Sequence, residues 1–152
     1  MKKFIKLSIV LTIIMSLFIS CGTNTTGKRS TEPGIISIVS LDDAMDLANK
    51  NKESIILFTL ETCKDCKIMK DVLNPYLENH ELEIYEVNLT AEGTSDEEIQ
   101  NNREKINTVF EEFNSVPSMY YVKDGKVIDE VTYVTEESEL EEFVVNNKLD
   151  IK

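Results

Sequence analysis

The residues in this chain best placed to do chemistry together are Cys63 and Cys66, in the run Cys63-Lys64-Asp65-Cys66. They directly follow the apolar stretch Ser54-Ile55-Ile56-Leu57-Phe58-Thr59-Leu60, and Val116-Pro117-Ser118 comes fifty residues beyond the second cysteine. A strand that delivers two cysteines to the start of a helix sets up dithiol–disulfide exchange. The attacking species is the thiolate, and the free N–H groups and dipole of a helix N-terminus lower a thiol pKa. Two intervening residues let the second sulfur reach back and resolve a mixed disulfide formed by the first. The competing reading is two cysteines that fall three apart in an inert core.

Other chemistries find little support. A structural zinc site needs about four ligands. Beyond the cysteines the chain offers one histidine, His80, in the polar run Glu78-Asn79-His80-Glu81, which is expected to be a solvated loop. A serine hydrolase would need that same histidine and a G-x-S-x-G elbow, which is missing from the sequence. Five glycines form no phosphate-cradling loop, and a formal net charge of −12 argues against nucleic acid. No metal and no cofactor beyond the Cys63–Cys66 pair is expected.

The elements that must position the dithiol can be read from periodicity. A short strand is expected at Ile35-Ile36-Ser37-Ile38-Val39, then a helix capped by Ser40 with Asp43, burying Leu41, Ala44, Met45 and Ala48. Ser54 to Leu60 is apolar on both faces, as at the centre of a parallel sheet. After Cys66, Ile68, Met69, Val72, Leu73, Tyr76 and Leu77 recur at helical spacing, with Pro75 expected to kink or interrupt the helix near Asn74. Glu83 to Leu89 is expected to be a strand. Thr94 to Glu98 carries capping chemistry, and Ile99, Arg103, Ile106, Phe110 and Phe113 then form one helical stripe, its aromatics in the core. Asp124-Gly125 is a hairpin turn between two strands. A last helix is expected to start near Ser138 with Glu141 as its cap partner. This order predicts an α/β fold with a mixed sheet.

The N-terminus bears on location. Lys2, Lys3 and Lys6 precede thirteen uncharged residues, Leu7 to Ile19, a length that suits a signal-peptide h-region and is short for a transmembrane helix. The segment ends at Leu17-Phe18-Ile19-Ser20-Cys21-Gly22, which resembles the lipobox of bacterial lipoproteins, although Phe18 is larger than usual there. The resemblance implies a signal peptide over residues 1–20 and lipid on Cys21, which anchors the chain to the extracytoplasmic face of the cell membrane. Cleavage would take the net charge from −12 to −15 and leave Cys63 and Cys66 as the pair free to exchange. Residues 21–34 are polar and aperiodic and are expected to be a flexible tether, reaching about 20 Å.

Element order, a C-x-x-C opening the second helix and Val116-Pro117-Ser118 before the final hairpin together resemble the thioredoxin superfamily. The likeness covers roughly Ile35 to Leu149, and membrane-anchored lipoprotein variants such as bacteriocin transport accessory proteins are similar. It implies a thioredoxin-like α/β domain over residues 35–152, with a four- to five-stranded mixed sheet flanked by helices. It further implies that Cys63 is the exposed nucleophile and Cys66 the buried resolving thiol. Pro117 would follow a cis bond and shape the substrate groove, where the backbone of Val116 pairs with a substrate strand. Lys64, Lys67 and Lys70 would favour the thiolate, and Glu61 and Asp65 oppose it. Three departures stand out. Leu57 occupies the position of the family's buried aspartate, Thr62 that of its tryptophan, and Lys64-Asp65 replaces Gly-Pro. The expected function is thiol–disulfide exchange on exported protein thiols and disulfides, with a membrane redox partner of unknown identity. The alternative is a non-catalytic accessory module that binds peptides or an export complex.

Overall fold

The computed structural model describes residues 27–50 and 53–152, so the expected signal peptide, Cys21 and the first part of the expected tether lie outside the described residues. The elements run β1 (Ile35–Ile38), α1 (Leu41–Lys50), β2 (Glu53–Thr59), α2 (Lys64–Leu77), β3 (Glu83–Asn88), α3 (Asp96–Ile106), β4 (Ser118–Lys123), β5 (Lys126–Thr132) and α4 (Glu137–Asn147). The strands form one sheet in the order β1-β3-β2-β4-β5. β1 and β2 both pair parallel to β3, whereas β4 and β5 enter antiparallel.

β2 lies at the centre because it is apolar on both faces. From Ser54 to Thr59 every residue is buried. Ile55 and Leu57 face α2 and α4, packing with Met69, Leu73, Leu140 and Phe143. Ile56 and Phe58 face α1 and the segment after α3, and the Phe58 ring lies 5.1 Å from those of both Phe110 and Phe113. Ser40 and Ser95 cap α1 and α3, the latter through a reciprocal box with Glu98. Asp124 and Gly125 take φ of 50° and 75°, the left-handed pair that a type I′ hairpin turn requires.

Several local expectations are corrected. Pro75 does not interrupt α2, which continues to Leu77. The hydrogen bond it forfeits falls on the solvent face of the last turn, where Asp71, Asn74 and Pro75 are exposed. α3 stops at Ile106, so Phe110 and Phe113 reach the core from turns, while Ile99 and Arg103 are exposed. α4 is capped by Glu136 with Glu139, not by Glu141. His80 is not in a solvated loop either. It is half-buried, stacks on Tyr76 at 3.8 Å, and its Nδ1 lies 2.9 Å from the buried Asp150 carboxylate.

Glu141 and Asp150 are occupied by the end of the expected tether. Residues 27–34 lie against the domain: Arg29 bridges to Ile151, Ser30 N–H donates to Asp150 O, and Gly34 N–H donates to Leu77 O. Gly34 passes so close to the carbonyls of His80 and Leu82 that a Cβ would sit 2.6 Å from each. The Arg29 guanidinium donates to Glu141, Asp150 and the Tyr76 hydroxyl. Arg29, and then the Tyr76 hydroxyl, hold the Glu141 carboxyl down at about 2. Because that folded value is depressed, the stabilisation is full above the ordinary carboxyl range near pH 4.5 and disappears as pH falls towards 2. Wild type should therefore lose urea resistance through that window more steeply than Glu141→Gln. Parallel curves for the two proteins would show that the contact contributes nothing.

Candidate active site

β2 ends at Thr59, and three hydrogen bonds hold the turn that follows. Leu89 N–H donates to Thr59 O at 2.9 Å, Glu61 N–H to Thr90 Oγ1 at 3.0 Å, and Cys63 N–H to Leu60 O at 3.3 Å. Cys63 is the N-cap of α2, with extended backbone, and its Sγ accepts from the Cys66 N–H at 3.0 Å. A sulfur here does what a serine or aspartate oxygen does at other helix starts. Negative charge on it meets an N–H group and the positive end of the helix. The two cysteines are joined as a disulfide, Cα atoms 5.2 Å apart. Cys66 is buried and Cys63 half-buried.

The second wall comes from the loop before β4. The Val116–Pro117 peptide bond is cis, and the Val116 carbonyl oxygen lies 4.0 Å from Cys63 Sγ. Ser118 Oγ donates to Ser115 O at 2.9 Å, and Ser118 itself pairs with Phe58, so the loop is pinned to the end of β2 that leads to the cysteines. The structure thus brings Cys63, Cys66, Val116 and Pro117 together. His80 sits past the far end of the 14-residue α2, about 20 Å along the helix from the dithiol.

One further side chain at this end of the molecule belongs to no motif in the sequence. Glu86 on β3 is buried, accepts from Thr59 Oγ1 at 2.6 Å, and forms an ion pair with Lys70. It is the register partner of Leu57, so it occupies the same sheet face, beneath α2. Lys70 lies one helical turn beyond Cys66, which places the carboxylate under the start of the helix. Lys70 is consequently committed to Glu86 and is not free to act on Cys63, whereas Lys64 and Lys67 are exposed. The signal was available: Glu86 stands two residues after Ile84, on the inward phase of a covered strand, where a carboxylate needs a partner.

No family model matches the chain, and no curated protein matches it in sequence. Solved structures do. A thioredoxin of Malassezia sympodialis superposes with a TM-score of 0.55 at 18% identity, over 76% of this chain and 92% of that one. The chain has the thioredoxin fold. Thioredoxin O1 of Arabidopsis thaliana, in its oxidised state, gives a TM-score of 0.53 at 20% identity, covering 76% of this chain and 97% of its own. A mutant thioredoxin of Halobacterium salinarum gives 0.52 at 15%, covering 83% and 98%. On this thioredoxin fold Leu57 is fully buried against α2, and Thr62 is exposed at the approach to the dithiol. Among the described residues no helix is long and apolar enough to cross a membrane.

Proposed function

We propose that the protein is a thiol–disulfide oxidoreductase that acts on exported proteins at the extracytoplasmic face of the cell membrane, held there by lipid on Cys21. The observation that carries the chemistry is Cys63 Sγ at the head of α2, bonded to the Cys66 N–H and disulfide-linked to Cys66. In the reducing direction the Cys63 thiolate attacks one sulfur of a substrate disulfide. A Cys63–substrate disulfide forms, and the other substrate sulfur leaves as a thiolate and takes up a proton. Cys66 then loses its proton and attacks Cys63 Sγ, which closes Cys63–Cys66 and releases the second substrate thiol. Two electrons and two protons pass to the substrate, and the reverse sequence oxidises a dithiol.

Cys66 is buried, and burial disfavours its thiolate. Two acidic residues are buried among the described residues, Asp150 and Glu86, and Asp150 belongs to the Arg29 cluster at the other end of α2. Glu86 is therefore the candidate acceptor for the Cys66 proton. The extracytoplasmic placement is supported by the sequence from Lys2 to Gly22 alone.

The reduced domain should exchange with a small aromatic disulfide severalfold faster than free cysteine does at pH 7, because the helix start enlarges the thiolate fraction. A rate no faster than free cysteine would favour the accessory-module reading. In cells, Cys21→Ser should abolish lipid label, and equal labelling of both forms would remove the anchor from the proposal.

A further inference from the structure

The chain that leads into β1 is clamped at the end of α2 opposite the dithiol. Residues 28–30 run antiparallel to residues 150–152: Ser30 N–H donates to Asp150 O at 2.8 Å and Lys152 N–H to Lys28 O at 3.2 Å, on either side of the Arg29–Ile151 bridge. Side chains lock this ribbon. Arg29 Nε donates to Asp150 Oδ2 at 2.8 Å and its Nη2 to Glu141 Oε2 at 2.9 Å. Glu81 accepts from Ser30 Oγ and pairs with Lys152. The Asp150 carboxylate is buried, so it needs the cation it has. Arg29 also reaches Tyr76 in the last turn of α2, whereas Cys63 caps the first turn. Clamp and sulfur are thus about 20 Å apart along the helix. β1 starts at the clamped end too, where Gly34 N–H donates to Leu77 O and Ile35 N–H to Leu82 O.

We infer that this clamp decides which thiols the anchored protein reaches: the dithiol faces away from the bilayer, and its substrates are water-borne segments of exported chains rather than thiols at the membrane surface. The inference rests on the anchor and oxidoreductase readings above and names their substrate class. Eight peptide units link Cys21 to Arg29, at most about 29 Å of chain. Fourteen link Cys21 to Ile35, at most about 50 Å. With the link entering at the clamped end, Cys63 touches the bilayer only if the domain inverts. The clamped end then stands about 20 Å above the sulfur, and the link must climb that height around the side of a domain about 35 Å across. Eight units must be drawn nearly taut to do this, at a cost in chain entropy, and fourteen have length to spare. The effective concentration of a tethered group falls towards zero when its link cannot span the distance. A membrane redox partner must accordingly present its own cysteines about one domain diameter, roughly 35 Å, above the bilayer.

The test uses the full chain, lipid-modified on Cys21 and reduced, in vesicles of phosphatidylcholine and phosphatidylglycerol. One arm supplies a water-soluble aryl disulfide, the other the same aryl disulfide on the headgroup of phosphatidylethanolamine in those vesicles. In both arms Cys63 attacks, forms a mixed disulfide and expels the coloured aryl thiolate. The readout is the ratio of the membrane-borne rate to the soluble rate. Arg29→Ala opens the clamp and frees the link as far as β1. A glycine–serine insertion of about twelve residues between Thr26 and Gly27 lengthens the link with the clamp intact. Each variant should raise the ratio at least about fivefold over wild type, with the soluble rate unchanged. A ratio unmoved in both variants would overturn the inference, and so would a rise confined to either one. Wild type that fails to float with the vesicles would instead overturn the anchor reading. Silence in the soluble arm would overturn the oxidoreductase reading, and this inference falls with either.

Discussion

Cells that express the Cys66→Ser protein should accumulate it in covalent adducts, visible as slow bands on a non-reducing gel that collapse with dithiothreitol, while Cys63→Ser should trap almost none. Cys63 is the half-exposed sulfur at the helix start, and Cys66 is buried behind it. Once Cys63 is joined to a substrate, the fast exit is attack by Cys66, whose Cα is 5.2 Å away. An intramolecular thiol at that distance has an effective concentration of roughly 10⁵ M or more in a well-aligned reaction, far above any external thiol. Loss of Cys66 therefore lengthens the life of the adduct by orders of magnitude, whereas loss of Cys63 removes the first bond. If both variants ran as free monomers, and the purified dithiol failed to exchange with a model disulfide, the chain would be a binding module on a thioredoxin fold.

The parts of this arrangement that were legible in the sequence are those built from neighbours. The C-x-x-C after a strand apolar on both faces placed Cys63 at the mouth of α2. Asp124-Gly125 specified the β4–β5 turn, and Ser95 with Glu98 the start of α3. Contacts between distant segments were not legible. Arg29 and Asp150 lie 121 residues apart, and no local pattern pairs them. Glu86 finds Thr59 only through the β2–β3 register, and Lys70 only because α2 crosses that face. The stripe from Ile99 to Phe113 has the spacing of a buried face throughout. α3 ends at Ile106, and the chain then folds Phe110 and Phe113 inward, leaving Ile99 exposed.

Glu86 gives the sharpest separation between a group that moves a proton and one that merely packs. In Glu86→Gln the amide oxygen still accepts from Thr59, so the side chain stays in place, but no carboxylate remains to take the Cys66 proton. Resolution of a preformed Cys63 mixed disulfide should slow by roughly 100-fold at pH 7, the lower end of general acid–base contributions. The deficit should shrink as pH rises, because hydroxide or buffer then ionises Cys66 directly. Cys63 attack, measured separately with an aryl disulfide, should change little. A packing role predicts the opposite pattern, a lower melting temperature with no pH-dependent gap between the two proteins. The register also says what happens if a carboxylate is placed at Leu57. That residue is the direct neighbour of Glu86, with strands about 4.8 Å apart, so Leu57→Asp sets two carboxylates side by side in the core. It should cost about 3 kcal/mol or more and not speed resolution. Combining Leu57→Asp with Glu86→Leu removes the like-charge neighbour and leaves a single buried acid beneath α2, beside Lys70. The double variant should regain both stability and resolution rate relative to either single change. Stopped-flow resolution rates from pH 6 to 9, alongside urea midpoints, measure both effects. Superimposable pH profiles for wild type and Glu86→Gln would mean that Cys66 gives its proton to solvent and that the Glu86–Lys70 pair serves the fold alone.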